Sequence, residues 1–171
     1  MTMPRSAINT TTHLARLASQ SRQRGAAVIE LAIVSMVMML MVTGMIEFGR
    51  VFWYADALSK ATRAAARHMS LAPRATLYSV SVAEARQLAV DIALAANVSG
   101  SLSSEDVEVS CLNSSFSSVG CADGIRPENV RVQINGYSIE VGGLMPFMGE
   151  TAARMGVIQL SPSTTMRYMP S

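Results

Sequence analysis

Apolar residues run almost unbroken from Leu31 to Ile46, and with Ala26–Ile29 and Glu47–Phe48 they define a segment of 23 residues bearing only two acids. As a helix it is about 34 Å long, enough to cross the hydrocarbon core of a bilayer. Beyond it the period becomes that of an amphipathic helix. Val51, Phe52, Ala55, Leu58, Thr62, Ala65, Ala66 and Met69 share one face, with Lys60, Arg63 and Arg67 on the other and an i,i+4 pair at Asp56 and Lys60. Leu71-Ala72-Pro73 closes this helix, because proline disfavours helical geometry in the residue before it.

A second helix is predicted from Val82 to Asn97, with Ala85, Leu88, Ala89, Ile92 and Ala96 as its inner stripe and Asn97–Ser101 as its stop. The period then shortens to two. Val107, Val109 and Cys111 alternate with Glu108 and Ser110, and Val130, Val132 and Ile134 alternate with Arg131 and Gln133. Tyr137–Val141 extends or follows the latter strand, and Gly156–Leu160 and Thr164–Tyr168 read as a strand pair bent at Ser161-Pro162-Ser163. The expected fold is α+β: a long N-terminal transmembrane helix running on into a small exported domain with a second helix and an antiparallel sheet.

Charge orients this arrangement. Four arginines (Arg5, Arg16, Arg22, Arg24) and no acid precede residue 26, leaving the rest with two net negative charges against +2 for all 171 residues. The positive-inside rule then places the N-terminus in the cytoplasm, and a weakly acidic exported part gives no electrostatic basis for nucleic-acid binding. Glu47, Arg50, Trp53 and Tyr54 fall where the span ends and read as a membrane-boundary anchor. A cleaved secretory signal competes with this reading, since Ala55-Asp56-Ala57 is small-x-small, but its apolar core would be shorter.

Cys111 and Cys121 flank a serine-rich stretch, and in an exported domain a disulfide is the first reading, with buried thiols the alternative. No metal site is expected, since neither His13 nor His68 has ligand spacing around it; the methionines of the span read as packing, and Glu105, Asp106 and Glu108 as a solvated face. Phosphate loops, His-Glu-x-x-His and nucleophile elbows are all missing from the sequence, so neither an enzyme nor a cofactor is expected.

Glu30 is the costly residue. An acid at mid-span costs about 2.5–3.5 kcal/mol on insertion scales, less near the edge, where an apolar side chain would cost nothing. Arg22 and Arg24, then Gly25, then an acid fifth after the glycine resemble the processing site of type IV pilin-like precursors. With the exit Ile46-Glu47-Phe48-Gly49-Arg50 and the run Ala61-Thr62-Arg63-Ala64-Ala65-Ala66-Arg67, the chain resembles a TadE-like minor pseudopilin of the tight-adherence (Tad, Flp-pilus) system. A looser likeness covers Leu144-Met145-Pro146-Phe147-Met148-Gly149 and Met166-Arg167-Tyr168.

The resemblance implies a leader, residues 1–25, removed by a prepilin peptidase between Gly25 and Ala26, a transmembrane helix over 26–48, and a head over 49–171. It also implies a bacterial inner-membrane location with a periplasmic head, open to incorporation into an extracellular pilus. Other pilins and pseudopilins, the inner-membrane assembly platform and the lipid bilayer are the implied partners. Glu30 carries over as the assembly residue, and priming or capping of an adhesive filament as the role. An uncleaved membrane-anchored binding module, TadF- or TadG-like, and a secreted enzyme are the alternative classes.

Overall fold

A computed structural model describes residues 6–98, 102–143 and 156–169, with side chains described from Gly25 onward. The chain divides into two compact units, Met1–Met45 and Ile46–Ser171. Helix α1 spans Ser6–Ser70, so it starts well before the apolar segment; Ala15, Arg16, Leu17, Gln20, Arg22 and Gln23 are all good helix formers. In the first unit, Gly25 to Leu40 is exposed throughout. Within the described residues, Gly25–Ser70 is the one helix long and apolar enough to cross a membrane, by length and composition.

The second unit packs the later turns of α1 against a second helix and two small sheets. Leu58, Ala61, Ala65, Ala66 and Met69 are fully buried on α1. The alanines among them let other elements approach closely, and Thr62 donates to or accepts from Thr164 at 3.0 Å. Phe52 departs from the expected inner face: six residues before Leu58, it sits about 120° around the helix and is 70% exposed. Tyr54 and Ala57 take that place in the core.

The helix ends where Pro73 requires, with Leu71 and Ala72 N–H donating to the carbonyls of His68 and Met69. A 3-10 turn, Arg74–Thr76, and a π-helical turn, Leu77–Ser81, lead into α2, Val82–Ala95. The α2 core residues are Val82, Ala85, Ala89, Val90 and Ala93, while Leu88, Ile92 and Ala96 are half-buried at its margin. Of the expected stop, Asn97 adopts a positive φ of 53°, and Ser99-Gly100-Ser101 lies outside the described residues.

Among the described residues five strands follow: β1 Val107–Leu112, β2 Asn129–Ile134, β3 Tyr137–Val141, β4 Gly156–Leu160 and β5 Ser163–Arg167. They form an antiparallel β1-β2-β5 sheet and an antiparallel β3-β4 pair. The expectation of a strand pair over 156–168 needs correction: β4 pairs with β3, and β5 with β2. Together β2-β3 and β4-β5 are the two arms of one long bent hairpin. At the bend three residues, Ile134 to Gly136, face two, Ser161 and Pro162, so one arm carries an extra residue. Gly136 takes a φ of 74° there, which a Cβ would disfavour, and the Ile134 N–H donates to the Pro162 carbonyl. The alternate β2 side chains Val130, Val132 and Ile134 turn into the core, as the period-two pattern predicted.

The Cys111–Cys121 disulfide is formed, joining a fully buried β1 residue to the loop beyond. Within the loop, the Asn113 carboxamide oxygen accepts from the N–H groups of Ser115 and Ser117. Replacing both cysteines with serine should lower stability by about 2.5–3 kcal/mol from loop-closure entropy. Urea unfolding of the detergent-solubilised chain, followed by Trp53 fluorescence, measures this; an unchanged midpoint would contradict it. The chain end is also tied down. Tyr168 Oη donates to the Ala72 carbonyl at 2.7 Å, and Met169 N–H to the Ser70 carbonyl.

Candidate processing and assembly site

Gly25 and Ala26 lie on an exposed stretch of α1. A Cβ added at Gly25 would meet nothing within 4 Å. Glycine in a helix interior costs roughly 0.5–1 kcal/mol relative to alanine. The fold therefore offers no reason for a glycine at this position and a small reason against it. Arg22 and Arg24, the basic residues before it, are on α1, but their side chains lie outside the described residues.

Glu30 follows Ala26 by four residues, so the two lie one turn apart on the same helix face. The carboxylate is exposed among Val28, Ile29 and Leu31, themselves all exposed. Among the described residues it has no ion-pair partner; the salt bridges there are Arg50–Glu47, Lys60–Asp56 and His68–Glu84. An acid on an apolar helix surface is suited to meeting a cation supplied from outside its own chain.

The four boundary residues all belong to the second unit, where each has a packing role. Glu47 is buried, and Arg50 Nη2 reaches both its carboxylate, at 2.8 Å, and the Glu140 carbonyl of β3, at 2.7 Å. Tyr54 meets Tyr137 edge to face, with ring centroids 6.4 Å apart. Trp53 donates its indole N–H to the Ala96 carbonyl at the end of α2. Together these contacts bind the early turns of α1 in this unit to β3 and α2. Arg50→Met should therefore cost about 2–3 kcal/mol, because it takes a charge-assisted bond from a buried carboxylate while leaving the carboxylate in place. Thermal melts of the two detergent-solubilised chains would measure it, and equal midpoints would refute it.

Sequence reasoning missed one ordered polar contact. Asp123 accepts from the backbone N–H groups of Tyr78 and Ser79, and those of Ser79 and then Tyr78 hold its carboxyl below the usual carboxylate range. It fastens the loop after the disulfide to the π-helical turn, alongside the bond from Gly124 N–H to the Arg74 carbonyl. The only local signal was an Asp-Gly turn. Of the acids read as a solvated face, Asp106 accepts from the Ser103 backbone N–H and hydroxyl. His68 meets Glu84 at 3.2 Å on the surface. Among the described residues no three His, Cys, Asp or Glu side chains gather as a metal site would require. The Leu144–Gly149 stretch of the looser likeness lies outside the described residues.

Residues 25–67 match the family model described as TadE-like protein. The match begins at Gly25, takes in Glu30 and the boundary residues, and ends at Arg67, the last residue of the alanine- and arginine-rich run. It supports a Tad pilus-associated protein and covers about a quarter of the chain, leaving out both sheets. No curated protein and no solved structure matches the chain.

Proposed function

We propose that this chain is a minor pseudopilin of a Tad-type pilus: a precursor cut after Gly25 by a prepilin peptidase, anchored in the bacterial inner membrane with its α+β head in the periplasm, and assembled with other pilins to prime or cap a filament. Its role on this reading is structural, not catalytic. The observation that carries the reading is the family match over residues 25–67, which starts at the glycine the fold does not need and contains the acid that has no ion-pair partner within the described chain.

The chemistry is simple. Cleavage between Gly25 and Ala26 makes an ammonium at Ala26, and Glu30 meets such an ammonium on a neighbouring helix. In a lipid-excluded helix bundle each charge alone is costly, and paired they are tolerable. Subunits in the wrong register leave both unpaired, so the pair sets axial position as well as affinity. Adhesion and biofilm formation follow from the filament and not from a site on this chain.

Deletion and complementation test the role. Cells lacking the chain should lose surface pili while keeping normal levels of the other pilins, and the intact gene should restore them. Antibody to the head should then mark filament ends in sheared material. Normal piliation without the chain would refute the proposal.

A further inference from the structure

The loop after β1 carries a residue that its own backbone penalises. Asn113 N–H donates to the Ser117 carbonyl, Phe116 N–H donates to the Asn113 carbonyl, and Leu112 bridges to Ser118. Residues 114–116 are therefore the turn of a tight hairpin, closed by Asn113 and Ser117. In such turns the last residue adopts the left-handed region, where glycine is the ordinary choice. Here that residue is Phe116, with a φ of 58°. A Cβ crowds the backbone in this region, and a bulky residue there is an outlier. The ring recovers little of the cost within the fold, since it is 58% exposed and takes no part in the buried core.

Its surroundings make the ring a fixed projection. The Asn113 carboxamide oxygen holds the N–H groups of Ser115 and Ser117, Val119 N–H donates to the Cys111 carbonyl, and the Cys111–Cys121 disulfide closes the base. With these backbone groups used internally, the loop offers outward the Phe116 ring, the exposed Val119, and the hydroxyls of the exposed Ser114, Ser115, Ser117 and Ser118. Residues 111–122 contain no charged side chain. The carboxylate that follows, Asp123, is occupied by the N–H groups of Tyr78 and Ser79. That contact fastens a second exposed aromatic residue, Tyr78, to the chain just beyond the disulfide.

We infer that this loop is a preformed docking knob: Phe116 inserts into an uncharged apolar pocket on a different folded protein, and the serine hydroxyls bond the rim of that pocket. The chemistry selects the partner. Cores of protein interfaces are depleted of charge, and a few aromatic anchors dominate their energetics. An anionic membrane surface or a nucleic acid would be met by Lys or Arg, and residues 111–122 have neither. A phenyl ring has no polar handle for a half-wet contact, so it gains most where a pocket removes it from water completely. Two copies meeting at this loop would set one projection against another, with no pocket to receive either. The closed loop also lowers the cost of binding, because its backbone is ordered before contact. The inference stands independently of cleavage at Gly25 and of pairing at Glu30.

The probe is the full chain with Phe116→p-benzoylphenylalanine, which keeps an aromatic ring at the tip and cross-links on irradiation. In native cells it should give a discrete adduct whose linked peptide, mapped by mass spectrometry, belongs to a different protein and is apolar and uncharged at the linkage. Glu105→p-benzoylphenylalanine, at the other end of β1 and also exposed, should not give that adduct. The linked protein, once purified, should bind the detergent-solubilised full chain, and bind its Phe116→Ala variant at least about tenfold more weakly. Phe116→Gly separates docking from a packing role. It should bind as weakly as Phe116→Ala, yet raise the melting midpoint of the full chain by about 2–4 °C, because glycine is unstrained at this φ. A midpoint below that of the unaltered chain would make the ring a packing residue and overturn the inference. An adduct to a second copy, to lipid or to glycan would overturn it too, as would equal binding by Phe116→Ala or no adduct above the Glu105 control.

Discussion

Cells carrying Glu30→Ala should cut the precursor after Gly25 and insert it in the membrane as before, yet make almost no surface pili. Insertion is not at risk, because the substitution removes a charge from an apolar helix and the remaining segment still spans a bilayer. Cleavage is not at risk either, since Gly25 and Ala26 keep their positions on the same exposed helix. On the proposed pairing, what is lost is the partner of the Ala26 ammonium. Removing one member of a buried pair costs about 3–5 kcal/mol, because the other charge stays buried alone. At about 1.4 kcal/mol per tenfold, that is roughly two to three orders of magnitude in subunit association. Immunoblots of precursor and mature forms, membrane fractions and electron microscopy of the same cells give the three readouts. Full piliation would leave the intermolecular pair without support.

Gly25→Ala should accumulate as uncut precursor at a normal membrane level. The helix gains from the change by roughly 0.5–1 kcal/mol, and no neighbour within 4 Å resists the new methyl. A processing defect would therefore be a defect in peptidase access to the backbone and could not be blamed on folding. A Cβ at Gly44 or Gly49 would likewise meet nothing within 4 Å, so alanine at either position serves as a control for helix stiffening alone. The expected immunoblot shows precursor for Gly25→Ala and mature chain for both controls. Mature chain from Gly25→Ala would move the cut elsewhere.

The helices were legible in the sequence because their patterns are local. The apolar run, the three- and four-residue spacing from Val51 to Met69, and Pro73 define most of α1, and the β2 alternation places Val130, Val132 and Ile134 inside. The pairing of β4 and β5 was not legible. Both are short runs beside Pro162, and nothing local distinguishes two strands that pair with each other from one arm of a bent hairpin whose partner arm lies well back along the chain. Phe52 was misplaced for a related reason: a large apolar residue at helical spacing reads as core, and only the folded unit shows that Tyr54 and Ala57 occupy that side. The disulfide followed from two cysteines in a domain read from the sequence as exported. Gly25 and Glu30 stood out because each costs something in an apolar helix, and the fold adds that no packing contact at Gly25 and no ion pair at Glu30 explains it within the described chain.

The central claim, that the chain is a processed pilin-like precursor, is tested most directly by mass spectrometry of the N-terminal peptide of the chain isolated from native membranes. The account predicts a chain beginning at Ala26. A chain that retains residues 1–25, or one that begins near Leu58, would contradict it.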